Sequence, residues 1–308
     1  MEYYSLNQYL RDTFGEKIYK IALDGGFTCP NRDGLVGTGG CIFCSGLGSG
    51  DFATDRSKSI TEQIEEGKAR VEAKMPEGNN KYIAYLQAFT NTYAPVDKLR
   101  SIYMEAISHP DIVGLSIATR PDCLGDDVIR LIDEINHIKP VWVELGLQTI
   151  HADTAKYIRR GYDLDVYDSA VSRLYAIGVH IVTHIILGLP GEDKTMMLES
   201  VRYVGDLSRR LAEIKTTEVS YNPFGIKLQL LHVIKGTDLA ADYEAGQFDV
   251  LSMEEYVDIV TESLSLLPED MVIHRITGDG DKKTLIAPLW SGDKKRVLNA
   301  LNKSIANR

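Results

Sequence analysis

The 308-residue sequence lacks an apolar run long enough to cross a bilayer, which takes roughly 18 such residues in succession. Its greasiest stretch, Ile181 to Leu189, is broken by Thr183 and His184. The opening residues, MEYYSLNQYLRD, lack the basic-then-apolar order of a secretory leader. No membrane partner is expected, and a cytoplasmic location is. Positive charge is also in deficit: 34 Lys and Arg face 44 Asp and Glu, a net of -10. That balance argues against indiscriminate nucleic-acid binding, which is driven by neutralising phosphates. Cysteine is scarce, four in all, with three inside sixteen residues. Such clustering suits metal ligation in a reducing compartment better than a disulfide framework.

What remains is an ordinary globular chain, 44% hydrophobic and 25% charged, with neither repeats nor low-complexity segments and ample length for a core. Its charge is uneven. From Met271 to Arg308 there are eight Lys or Arg against three Asp, a net of +5, which leaves -15 for the rest. The basic tail reads either as a local binding face or as a solvated helix surface.

Short runs rich in β-branched and aromatic residues alternate with segments of helical period, the pattern of a parallel sheet with crossover helices. The expected strands are Lys17 to Leu23, Tyr82 to Gln87, Gly114 to Ala118, Val141 to Leu147, Val179 to Leu187 and Thr217 to Tyr221. Helical patterns lie between them, and Ser59 with Glu62, and Ser252 with Glu255, read as capping boxes at helix starts. After Tyr221 the rhythm breaks into a connection containing Pro and Gly. The expected fold is α/β, a partial (β/α)6 barrel over residues 1–222 with a small C-terminal α+β extension over 223–308, and with ligand-binding loops at the strand C-termini.

The segment DGGFTCPNRDGLVGTGGCIFCSG places Cys29, Cys41 and Cys44 in a glycine-rich loop after the first strand. Three thiolates fill three corners of a [4Fe-4S] cube and leave one iron open to a ligand. Glycines let backbone wrap closely around a bulky group. The alternative is zinc, which in a structural site needs a fourth ligand, such as Cys123 or a distant His.

The eleven-then-two spacing of these cysteines resembles the branch of the radical S-adenosylmethionine (SAM) superfamily related to the catalytic subunit of Elongator. The phrases GGFTCPNRDG, GGCIFC, TNTYAP, TRPD, ELGLQT, RRGY, ILGLPGE and TGDG, in order along nearly the whole chain, resemble the YhcC/YtqA-like (MnmL-type) family within it. The resemblance implies a radical SAM barrel, a [4Fe-4S] cluster on Cys29, Cys41 and Cys44, SAM as second cofactor, and an electron donor such as flavodoxin or ferredoxin.

It also assigns roles. The usual Gly-Gly-Glu phrase that holds the SAM amino group is replaced by Gln87, Ala88, Phe89 and Thr90, so Gln87, Thr90 and Asn91 become the acceptors, or else only cap a turn. Glu144 interrupts an apolar strand and must be paired or bound; the resemblance implies a ribose contact, and a structural ion pair is the alternative. Gln148 falls at that strand's end. Arg160, in RRGY, is aimed at the methionine carboxylate or is solvated, and the Gly188 backbone lines the adenine. In TRPDC, Arg120 and Asp122 pair with each other, and Cys123 is a candidate catalytic thiol or an inert buried one. His184 reads as a core histidine. The implied substrate is the wobble uridine of tRNA, whose 5-carboxymethylaminomethyl(-2-thio) form is converted to the 5-aminomethyl form. Arg275, Lys282, Lys283, Lys294, Lys295 and Arg296 are expected to contact tRNA phosphates. A radical SAM enzyme for a small molecule, and a zinc-stabilised RNA-binding protein without catalysis, stay open as other readings.

Overall fold

The structure is a computed structural model that describes residues 3–46, 48, 53–72, 80–214, 222–278 and 282–307. Seven parallel strands form one sheet: β1 (Tyr19–Leu23), β2 (Tyr82–Leu86), β3 (Ile112–Thr119), β4 (Val141–Gln148), β5 (His180–Leu187), β6 (Phe224–Leu230) and β8 (Val272–Arg275). Each strand pairs with the next one added by the chain, so the sheet winds in one direction and curls into a partial barrel. The crossover helices are α2 (Ile60–Val71), α3 (Val96–Ser108), α4 (Asp126–Asn136), α5 (Ala152–Tyr157), α6 (Leu164–Ala176), α7 (Lys194–Ile214) and α9 (Met253–Leu266). They pack outside the sheet against the largest core, which includes Leu86, Leu115, Val143 and Leu174. Both expected capping boxes are formed, at Ser59 and Ser252. Gly67 lets α2 lie against β1, since a Cβ there would come within 2.1 Å of Ile21 Cγ2.

The inner face is built in layers set by the two-residue period of the strands. At the bottom, Ile83, Trp142 and Val182 pack with Tyr9 and Leu10 of an unforeseen N-terminal helix, α1 (Leu6–Phe14), which plugs that end. Two residues further along each strand the layer turns polar: Tyr85, Glu144 and His184 belong to it, and Lys227 joins them from β6. Polarity inside a barrel is costly unless paired. The layered order therefore marks where a ligand cavity begins.

One expectation needs correction. Thr217 to Tyr221 lies outside the described residues, and the sixth strand is Phe224–Leu230, in the stretch read from sequence as an irregular connection. Pro223 and Gly225 looked like breakers. Yet Pro223 precedes the strand and gives it a carbonyl, accepting from Ile181 N at 2.9 Å, and Gly225 is needed because a Cβ there would stand 2.6 Å from the His274 ring. The sheet thus runs on past residue 222, and β8 extends it to seven strands. A small antiparallel pair, β7 (Val233–Ile234) with β9 (Leu285–Ala287), and α8 (Asp238–Glu244) build a second core with Ile42, Ile158 and Leu189. Ile42 N donates to Ile158 O and Leu239 N to Ile42 O, which ties the cysteine loop to α8. The last helix, α10 (Lys294–Ala306), packs on α9.

Candidate active site

A cavity of about 300 Å³ opens at the C-terminal mouth of the barrel and is lined by Cys29, Cys41 and Cys44 at one end and by the polar layer at the other. The cysteine loop is held from several sides. Asn31 Nδ2 lies 3.4 Å from Cys41 Sγ and donates to Arg159 O at 2.6 Å. Arg32 donates to the carbonyls of Cys44 and Ser45, and its guanidinium lies 5.6 Å from the Phe89 ring centroid. Burial pushes the Cys41 thiol up to about 11, with Cys44 adding to the shift; a metal must displace that proton to bind.

The donor set fits a cluster better than a single ion. The three sulfurs do not all lie within 4.8 Å of one another, whereas one tetrahedral zinc with bonds of about 2.3 Å would draw its sulfurs to roughly 3.8 Å apart. The loop backbone makes room through positive φ at Gly39, Gly40 and Gly48, and a Cβ on Gly48 would strike the Phe89 ring at 2.4 Å. Among the described residues, one ligand group is close enough for a single ion, Glu65, His109 and Asp111. It lies on the outer surface, where Lys68 already bridges Glu65 at 2.9 Å and Asp111 at 2.6 Å.

The polar layer is organised by Glu144, whose side chain is fully buried. Oε1 accepts from Lys20 Nζ at 2.7 Å and Ser116 Oγ at 2.8 Å. Oε2 accepts from Tyr85 OH at 2.9 Å, is 2.9 Å from His184 Nε2 and is paired with Lys227. Burial alone would raise this carboxyl, but Lys20, Lys227 and His184 together hold it well below the ordinary range. Lys227 is nevertheless pushed down to about 8: burial, Lys20 and Arg275 outweigh the pull of Glu144. One anion is shared by two ammonium groups. Burial, aided by Lys227, also lowers His184 to about 4 against its bond to Glu144, so the ring is neutral at physiological pH.

These contacts use the roughly four lone-pair sites of a carboxylate, so the ribose contact expected of Glu144 would require one protein donor to leave. Its geometry is that of the alternative, a buried ion pair. Arg160 also differs from expectation: its guanidinium donates to the carbonyls of Leu147, Thr149 and Tyr162 and lies 4.7 Å from the Tyr162 ring centroid. It braces the β4 exit loop while lining the cavity. Gln87, Thr90 and Gln148 do line it. Gln148 has φ +68 and a buried Oε1 without a hydrogen-bond partner, a strained residue with spare acceptor capacity.

Asn91 stands behind the wall, with its N and Nδ2 both donating to Ala118 O. Gly188, φ +90, packs against Leu251 outside the wall. Arg120 and Asp122 pair at 2.9 and 2.7 Å as expected. Cys123 is also outside the cavity lining, and burial with Asp122 pushes its thiol up to about 12, which disfavours the thiolate a nucleophile needs. Lys20, Tyr85, Lys227 and Phe89 were not singled out from sequence. A lone lysine inside YKIAL and another inside FGIKLQL carry the same signal that drew attention to Glu144. Arg275, assigned from sequence to tRNA phosphates, is half-buried on β8 and lines the cavity.

The curled parallel sheet with a three-cysteine loop at its mouth defines the class: the chain belongs to the radical SAM superfamily. The model of that superfamily matches residues 32–204, and that of the Radical_SAM C-terminal domain matches 223–307. YtqA of Bacillus subtilis, an uncharacterized protein, is 47% identical over 306 residues, 99% of this chain and 90% of its own length. YhcC of Escherichia coli K12 is 38% identical over 278 residues, 90% of this chain and 84% of its own. In fold, the chain is similar to the archaeal Elp3 of Methanocaldococcus infernus, with a TM-score of 0.66 at 18% identity, covering 93% of this chain and 63% of that one. The chain is accordingly a radical SAM enzyme, whose cofactors are a [4Fe-4S] cluster and SAM.

Proposed function

We propose that this enzyme modifies the wobble uridine of tRNA, converting 5-carboxymethylaminomethyl(-2-thio)uridine to 5-aminomethyl(-2-thio)uridine, with Cys29, Cys41 and Cys44 as the cluster ligands. The observation that carries this reading is a single cavity joining the three cysteines to a buried layer of charged groups. The choice of tRNA is supported by the tRNA uridine(34) acetyltransferase of Methanocaldococcus jannaschii, 26% identical over 54% of this chain and 28% of its own.

When bound, the cluster and SAM supply a 5′-deoxyadenosyl radical, given one electron from a donor such as flavodoxin or ferredoxin. Loss of a hydrogen atom from the carboxymethyl methylene, then of a second electron and the proton on nitrogen, would leave an imine that water opens to the primary amine and glyoxylate. That second electron can replace the one the donor supplied. The protein's part is orientation and exclusion of water. The core around Ile42 and Leu189 anchors the cysteine loop, Arg160 fixes the β4 exit loop, and neutral His184 keeps the polar layer from gaining a further positive charge. Exposed Lys282, Lys283, Lys294, Lys295 and Arg296 form the surface that meets tRNA phosphates.

Mass spectrometry of nucleosides from total tRNA of a deletion strain tests the reading. Accumulation of the carboxymethylaminomethyl form, with loss of the aminomethyl form, is expected. An unchanged nucleoside profile would exclude the wobble uridine.

A further inference from the structure

Asn31 follows Cys29 by two residues, yet its side chain reaches across the loop to Cys41. Nδ2 lies 3.4 Å from Cys41 Sγ and donates to Arg159 O at 2.6 Å. The residue is only 4% exposed, so water competes little for its amide. Arg159 O also accepts from the Cys41 thiol, at 3.6 Å. Metal binding removes that thiol proton, which leaves a carbonyl oxygen and a thiolate side by side as two acceptors. The Asn31 amide carries two N–H groups, one for each. It is therefore suited to the deprotonated form of this ligand.

The surroundings fix which way the amide faces. Reversed, it would set Oδ1 against a carbonyl and a sulfur, acceptor against acceptor. Gly37 leaves the space that Oδ1 takes, since a Cβ there would stand 2.5 Å from that oxygen. Gly40 N donates to Asn31 O at 2.7 Å and holds the backbone. Arg159, whose carbonyl meets the amide, has φ +55, a conformation that a residue with a Cβ adopts at a cost. The eleven residues between Cys29 and Cys41 give the chain room to turn back and bring Asn31 to the second cysteine.

A hydrogen bond to a cluster sulfur favours the state with more negative charge, and such bonds are among the influences that set the potential of an iron–sulfur group. We propose that Asn31 is a positioning residue that tunes the cluster, raising its reduction potential through the Cys41 thiolate and easing the one-electron reduction on which SAM cleavage depends. This rests on Cys29, Cys41 and Cys44 as the ligands and is independent of the tRNA substrate.

The test uses the reconstituted full chain without SAM. A redox titration monitored by EPR reads the ratio of reduced to oxidised cluster in the parent and in Asn31→Leu, a variant close in volume and without donors. At a fixed ambient potential that ratio is expected to fall about tenfold in the variant, a shift of about 59 mV for one electron, with iron content close to the parent. A second measurement needs no variant. In parent protein carrying the heavy nitrogen isotope in its asparagine side-chain amides alone, hyperfine spectroscopy of the reduced cluster is expected to show coupling to that nitrogen. A ratio for Asn31→Leu within about twofold of the parent, or no coupling to the labelled amide, overturns the tuning role and leaves Asn31 as a turn residue of the loop. Should Asn31→Leu not take up iron, the labelled parent decides alone. A parent that forms no cluster overturns the cysteine assignment and the role of Asn31 together, whereas a parent with its cluster and an unmoved potential overturns the role of Asn31 only.

Discussion

Replacing Glu144 by glutamine keeps the shape of the polar layer and deletes its one central anion. Lys20 and Lys227 would then face each other from opposite sides of a buried amide, each with a desolvated charge that Glu144 now offsets at contact distance. At an effective dielectric near 20, one contact pair is worth about 4 kcal/mol, and removing one partner of a buried pair typically costs about 3–5 kcal/mol. The two lysines share one anion, so the losses overlap and the lower half of that range applies. For a chain of 308 residues that corresponds to a fall in melting temperature of roughly 5 °C. Far-UV circular dichroism of the reconstituted Glu144→Gln protein, under anaerobic conditions, measures it. Adding Lys227→Met to the variant is expected to recover part of the loss, because an uncompensated cation leaves with it. A loss below about 1 kcal/mol would refute the reasoning, and if SAM affinity fell instead, Glu144 would be a ribose ligand after all.

Acid provides a second test. Burial depresses His180 to about 3 and His184 to about 4, and depresses His274 further below its ordinary range. A base whose folded pKa is depressed gives stability that is present above the unfolded value near 6.5 and is lost as pH falls below it. Lowering pH from 7 to 5.5 is expected to cost about 1.3 kcal/mol per histidine, about 4 kcal/mol for the three, read by urea denaturation; a flat profile over that range would place these rings in water. Charge reversal at Lys294, Lys295 and Arg296 is expected to weaken tRNA binding and to reduce the slope of log affinity against log salt by about 2 to 3, leaving SAM cleavage without tRNA unchanged. Parent-like binding by that triple variant would make α10 a solvated surface only.

The barrel was legible because alternating strand and helix signals persist over most of the chain, and because both capping boxes carry local chemistry that tertiary structure did not override. Phe224–Leu230 was missed for the opposite reason. Pro223 and Gly225 carry breaker signals, and only the His274 ring, 49 residues further on in the chain, explains why a glycine is needed there. The cysteines were legible from spacing and composition. The polar layer was half legible: Glu144 stands out in an apolar strand, yet its five donors come from five other strands, and sequence order does not show that Lys20 and Lys227 meet it. Arg275 was misplaced because a basic segment was treated as one surface, whereas period-two alternation turns a strand residue inward whatever the charge of its neighbours.

The central claim is that Cys29, Cys41 and Cys44 hold the cluster that opens SAM. Anaerobic reconstitution followed by iron, sulfide and 5′-deoxyadenosine assays tests it most directly. The parent protein is expected to be brown, to bind about four iron and four sulfide, and to release 5′-deoxyadenosine when reduced with SAM, while Cys29→Ala, Cys41→Ala and Cys44→Ala each abolish the release and Cys123→Ala does not. A colourless parent with stoichiometric zinc and no iron uptake, or three alanine variants that still cleave SAM, would contradict the account.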